Sequence, residues 1–258
     1  MISLVDAAHE EAFLEACRQD KIYGAMVLTR WKCYRHLQKL ALFWVVLSPE
    51  GKPVGALSWV QGDCIFSSLH PSCYEEAAEL LPLLPCESLL AEQAFVELAA
   101  QRLGGESYFS PAMVREEEGE LSQRIELWQD SLRPIYQFLC EGYPYFAAHS
   151  HYDHWLSSLS LRMNRGCASV YVLREQEKLL ACGIIGYRGE ASGEIGGIVT
   201  APPVRGRGLG REMVRHLTAV LAAEGRTAFL HLAEESLVPF YLSAGFRPAG
   251  RWGSLETE

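Results

Sequence analysis

No stretch of this 258-residue sequence is apolar for long enough to cross a bilayer. The longest purely apolar run near the start, Ala41–Leu47, falls far short of the ~20 residues a spanning helix requires. A basic excess is also missing. The net charge is −9, with 10 Lys+Arg against 19 Asp+Glu in residues 1–126 and 13 against 13 in residues 127–258. An acidic half beside a neutral half argues against a nucleic-acid partner, whose phosphates call for a basic surface. It is compatible with a cationic small molecule, although acidic excess usually serves solubility. The eight cysteines form no Cys-x-x-Cys pair, so zinc-ribbon and thioredoxin-like sites are excluded. In a chain of this size they read as reduced, mostly buried thiols of a cytoplasmic protein. Asp6, Glu10 and Glu11 stand where a secretory signal would be basic and then apolar, so none is expected. Repeats of fixed period and low-complexity tracts are absent too.

What is present is ordinary globular composition, 49% hydrophobic and 21% charged, at a length that allows two domains. The charge step coincides with the polar stretch Arg115–Glu120, which sets an expected division into residues 1–126 and 127–258. The first half reads as α/β. Ser3 and Asp6 resemble a capping box opening a helix to about Gln19, and a second helix is expected over Ile22–Gln38. Phe43–Leu47, Val54–Val60 and Cys64–Leu69 read as strands, Tyr74–Leu81 and Leu89–Leu103 as helices. In the second half, Leu132–Cys140 and Tyr152–Asn164 read as helices. Ala168–Leu173, Leu179–Tyr187 and Gly193–Thr200 then read as three strands joined by hairpin-length turns. Helix Arg211–Ala223, strand Thr227–Ala233 and short helix Leu237–Ser243 complete the expected order.

Two segments carry chemistry. In Gly193–Gly210 a strand ends, Pro202-Pro203 break it, and a glycine-rich turn enters a helix. Gly206, Gly208 and Gly210 let backbone N–H groups approach a ligand without side-chain obstruction. The positive end of the following helix suits a phosphate or pyrophosphate, and Arg205, Arg207 and Arg211 add charge. A basic surface turn is the plainer alternative. The segment is neither a P-loop, since no Lys-Ser/Thr follows the last glycine, nor the dinucleotide fingerprint. The second segment is Pro239–Phe246. Its Tyr241, with an ordinary pKa of about 10, is protonated at neutral pH and can donate a proton; aromatic packing is the plainer role.

Together, in this order, the two segments resemble the GNAT superfamily of acyl-CoA-dependent N-acyltransferases. The family's Arg/Gln-x-x-Gly-x-Gly/Ala signature stands here as Arg205-Gly-Arg-Gly208-Leu-Gly210. Its Tyr-x-x-x-Gly-Phe element stands as Tyr241-Leu-Ser-Ala-Gly245-Phe246. The resemblance covers roughly residues 130–258. It implies a mixed, mainly antiparallel sheet flanked by helices, with acetyl-CoA as co-substrate. The pyrophosphate would lie on Arg205, Gly206, Arg207, Gly208, Leu209, Gly210 and Arg211, and the pantetheine arm along Ile198, Val199 and Thr200. An amine would attack the thioester directly, Tyr241 would protonate the leaving thiolate, and Glu194 would act as base, with His231 as the other candidate. Glu234 stands where the family often has Asn. The acceptor, a small-molecule or peptide amine, is implied to meet the connection that carries Tyr145, His149, His151 and Asp153. The first half lacks the signature. Its elements are compatible with a degenerate, non-catalytic copy of the same fold.

The sequence leaves two rival readings. His149-Ser-His151-Tyr-Asp153-His154 matches the His-x-His-x-Asp-His pattern of metallo-β-lactamase-like hydrolases. That fold needs further ligands, and the only later histidines, His216 and His231, lie inside an expected helix and strand. No metal is therefore expected. The other rival is a non-catalytic acetyl-CoA sensor or interaction module.

Overall fold

The side chain of Asp6 separates the first two elements. Its Oδ1 accepts from the backbone N–H groups of Ala8 (2.9 Å) and His9 (3.1 Å), and helix α1 (Glu10–Gln19) starts only after that turn. The expected capping box at Ser3 is thus corrected. Ile2–Leu4 is strand β1, paired antiparallel with β2 (Ala41–Leu47). Helix α2 (Tyr23–Tyr34) buries ten residues, because it lies between the two halves of the molecule and packs against both. β3 (Pro53–Val60), β4 (Asp63–Ser67) and α3 (Tyr74–Leu80) follow. The run expected as one helix over Leu89–Leu103 divides into strand β5 (Ser88–Glu92) and helix α4 (Gln93–Leu103). Glu92 is the divide: its carboxylate accepts from the Ala94 N–H and caps α4. Leu89 and Ala91 are fully buried in the sheet, and that burial overrides their helical spacing. Strand β6 (Glu106–Arg115) ends this half.

The computed structural model describes residues 1–257. Its second half comprises β7 (Ile125–Leu127), α5 (Arg133–Gly142), α6 (Pro144–His149), α7 (Tyr152–Asn164), β8 (Ser169–Glu175) and β9 (Lys178–Arg188). β10 (Ser192–Thr200), α8 (Leu209–Ala223), β11 (Thr227–His231), α9 (Val238–Ser243) and β12 (Arg247–Glu256) complete it. Strands β6, β7 and β12 and the short helix α6 are additions to the sequence reading.

Apart from α6, the two halves repeat one element order: β-α-α-β-β-β-α-β-α-β. They share a single twelve-stranded sheet of order β1-β2-β3-β4-β5-β12-β6-β11-β10-β9-β8-β7. Only β4–β5 and β10–β11 are parallel, at equivalent places in the two halves. At the centre the last strands are exchanged: β12 lies between β5 and β6, and β6 between β12 and β11. Neither half can therefore complete its sheet without the other. Arg115, at the end of β6, fastens this seam by donating to Ala244 O (2.8 Å) and Glu118 O (3.0 Å). One core lies beneath α1 and α2 and reaches Phe229 of the second half; another lies beneath α8 and α9, and a third beneath α5 and α7.

Candidate active site

The site begins where two parallel strands stop pairing. β10 meets β11 at Ser192–Thr227, Gly193–Ala228 and Glu194–Phe229, and no further. Beyond Glu194, β10 remains on β9 through two bulges, while β11 remains on β6. Bulges bend a strand and raise its twist, so the two strands diverge. A cleft of about 1020 Å³ opens between them, lined by both, by the turn before α8, by α9 and by α5–α7.

The mouth of the cleft carries the glycine-rich turn. Gly206 (φ +79°) and Gly208 (φ +82°) adopt left-handed backbone, which glycine reaches without penalty. A Cβ at either would meet no protein atom within 4 Å. Conformation, and room for a ligand, therefore set the requirement rather than packing. Gly208 precedes α8, whose first N–H groups have no intrahelical acceptor and no capping side chain. Gly206, Gly208, Leu209, Gly210 and Arg211 line the cleft, as do Ile198, Val199 and Thr200 on the freed part of β10. The arginines divide in role. Arg205 lines the cleft but donates to Thr200 O (3.2 Å) and Gly142 O (2.9 Å), so it ties the turn to the end of α5. Arg211 donates to Ser243 Oγ (2.8 Å). Arg207 is exposed and outside the lining. The amide cradle fits a pyrophosphate. Backbone donors supply most of it and guanidinium groups little.

Deeper in the cleft lie three titratable side chains. Tyr241, on α9, packs edge-on against Phe240 and Phe246. Burial pushes its phenol up to about 12, so it holds its proton at neutral pH. Glu194 ends the paired part of β10. Gly186 on β9 makes room for it: a Cβ there would stand 2.5 Å from Glu194 Oε2. Nδ1 of His231, at the end of β11, lies 3.6 Å from Glu194 Oε1. The His231 ring stacks on Tyr23 and meets Phe229 and Trp252, and its Nε2 is buried without a partner. Tyr23 and Trp252 come from α2 and from the exchanged strand β12. Sequence reasoning missed both, because nothing local signals either contact.

On the opposite wall the aromatic residues that line the cleft are Tyr143, Phe146 and Trp155. Tyr145, His149, His151 and Asp153 are outside the lining. Tyr145 stacks on His149 at 4.0 Å, and His149 Nδ1 meets the Tyr145 carbonyl oxygen at 2.8 Å. His154 Nε2 faces Asp63 Oδ2 at 3.7 Å. Among the described residues no three His, Cys, Asp or Glu side chains are grouped to hold a metal. Glu234 lines the cleft.

The model of the Acetyltransferase (GNAT) family matches residues 128–246. Residues 128–246 form a GNAT-family domain. Among solved structures, a Drosophila protein is 14% identical with a TM-score of 0.66, the match covering 98% of each chain. A GNAT-family acetyltransferase from Colwellia psychrerythraea is 15% identical with a TM-score of 0.53, covering 100% of each. A tandem GNAT protein from the clavulanic acid biosynthesis pathway is 16% identical with a TM-score of 0.53, covering 99% of this chain and 98% of its own. At these identities the likeness is one of fold, and it spans both halves. No curated protein matches the sequence. The GNAT domain and its signature support an acyl-CoA-dependent acyltransferase. No helix among the described residues is long and apolar enough to cross a membrane.

Proposed function

We propose that this protein transfers an acetyl group from acetyl-CoA to a primary amine by direct attack within a ternary complex. The observation that carries the reading is the cleft itself. β10 and β11 part at Glu194, and the same cleft ends at a cradle of uncapped backbone amides in Gly206–Arg211. The amides hold the pyrophosphate at the positive end of α8. The freed edge of Ile198–Thr200 offers main-chain groups to the pantetheine arm. The thioester supplies the activated acyl group. Glu194 accepts the proton that the amine sheds, directly or through water, and Tyr241 provides the proton for the departing sulfur. Burial of Tyr241 supports the second role, because a phenol kept neutral is a proton donor.

We assign catalysis to residues 127–258 and a supporting role to residues 1–126. The equivalent strands support this division. In the shared register of β4–β5 and β10–β11, Ile65 stands where Glu194 does. The turn after β4, Ser68–Cys73, has no glycine. Phe66 and Phe95 stack, with Tyr74 edge-on to both, at that place in the first half. We place the protein in the cytoplasm, in keeping with eight free cysteines, seven of them buried.

The test is acetyl-CoA turnover, followed by free thiol, against a broad panel of amines. Amine-dependent thiol release is expected. Tight acetyl-CoA binding with no turnover on any amine would favour the sensor.

A further inference from the structure

Arg162, in the last turn of α7, lines the cleft, and its geometry is not needed for the chemistry above. Its Nε donates to Ser158 O (3.2 Å) and its Nη1 to Gly186 O (2.7 Å), and the guanidinium lies 4.4 Å over the Tyr187 ring. Two of its five N–H groups are thereby used. The other three have no protein acceptor among the described residues. A planar group held at two points and stacked on a third is fixed in orientation, so its remaining donors form a preset fork.

Glu194 and Arg162 converge on Gly186. The position a Cβ would take there is 2.5 Å from Glu194 Oε2 and 3.8 Å from Arg162 Nη1. Those distances put the opposite charges within about 6 Å of each other, yet the two groups do not form an ion pair. Trp155, Leu159 and Arg162 occupy one face of α7 at spacings of four and three, and all three line the cleft. Leu139, Phe146 and Ile184 extend that apolar wall.

We propose that the acceptor is a free α-amino acid with a large apolar side chain, an assignment that rests on the transferase reading. Its ammonium lies against Glu194, its carboxylate on the free fork of Arg162, and its side chain against Trp155, Leu159 and Phe146. An amine without a carboxylate leaves Arg162 unanswered and repelling the ammonium. A peptide N-terminus carries no carboxylate at that distance. In the transfer the ammonium gives one proton to Glu194, the freed amine bonds to the acetyl carbon, and the nitrogen sheds its second proton, which restores the Tyr241 phenol through water. The carbon–sulfur bond breaks, and the sulfur takes one proton from Tyr241. The products are an N-acetyl amino acid and CoA.

The test compares kcat/KM for phenylalanine and leucine with that for phenethylamine, 3-methylbutylamine and the dipeptide phenylalanyl-alanine. The amino acids are expected to lead by about 10²-fold or more, because a site built to bond a group rejects the analogue that lacks it. Arg162→Gln should bring the ratio near unity, chiefly through the KM of the amino acid. Arg162→Lys should retain part of it. Melting temperature and CoA affinity check that both variants fold, and the wild-type ratio decides the matter if they do not. Equal or better use of the amine or the dipeptide would overturn the amino-acid assignment and leave the transferase standing. No turnover of any acceptor, with acetyl-CoA binding intact, would overturn both.

Discussion

The Glu194 carboxylate stands 3.6 Å from Nδ1 of His231, the two carried by neighbouring parallel strands where their pairing stops. The divergence of the strands and a pair of titratable side chains thus meet at one point, and Gly186 borders it from β9. Gly186→Ala puts a methyl carbon 2.5 Å from Glu194 Oε2. That oxygen is the tip of a flexible side chain, so the carboxylate swings aside and the fold survives. We expect kcat to fall about 10-fold with CoA affinity unchanged. Glu194→Gln, which removes the proposed base, should cost about 10²-fold or more. Steady-state kinetics beside calorimetry checks both. An unaffected kcat in Glu194→Gln, with chemistry rate-limiting, would remove Glu194 from the mechanism.

Tyr241→Phe keeps the ring contacts with Phe240 and Phe246 and deletes the donor. kcat should drop on the order of 10²-fold while CoA affinity holds. A stability signature accompanies it. The folded phenol titrates near 12, against an ordinary value near 10. The native chain thus keeps a proton that the unfolded chain releases. The resulting stability is fully present below pH 10 and is lost as pH rises toward 12, by about 3 kcal/mol in all. The wild type should therefore lose more of its urea midpoint between pH 8 and pH 11 than Tyr241→Phe. Equal losses would contradict a buried, neutral phenol.

Gly208→Val tests the cradle. The residue sits at φ +82° in open space, so a side chain strains the backbone without colliding with protein. The strain should cost about 1–2 kcal/mol, which leaves the chain folded. CoA affinity should fall at least 10²-fold, because a branched Cβ stands between the amides and the pyrophosphate. Unchanged affinity in calorimetry would move the pyrophosphate elsewhere.

The exchanged strands make the two halves interdependent. Residues 127–258 expressed alone lack β5 and β6, so β11 loses one neighbour and β12 loses both. The isolated half should aggregate, whereas the full chain should unfold in a single transition. A soluble, monomeric fragment with native circular dichroism would show that the exchange is dispensable.

Much of the cleft was legible because its signals are local. Gly206 and Gly208 occupy left-handed backbone, Pro202 breaks the strand, and α8 begins at once; these are properties of a few consecutive residues. Tyr241 follows from the same kind of pattern. The opposite wall was less legible. The run Tyr143–Trp155 is aromatic throughout, and only the packing of α6 and α7 decides that Tyr143, Phe146 and Trp155 line the cleft while Tyr145 and His149 stack on each other outside it. Arg162 carried no signal at all, because one arginine late in a helix is the commonest of surface residues.

The sequence by itself determined the second half's strand–strand–strand–helix–strand order, the glycine-rich turn and the aromatic helix that carries Tyr241, since hydrophobic period and turn chemistry act over a few residues. Tertiary structure decided what distance joins. β6 contains Pro111, and β12 contains Pro248, Gly250 and Gly253, so neither reads as an interior strand; each becomes one because the other half supplies both neighbours. The same exchange brings Trp252 to His231, and α2 brings Tyr23. Such contacts join residues about 20 to 210 positions apart, and their energy comes from burial against a surface that exists only once both halves have folded.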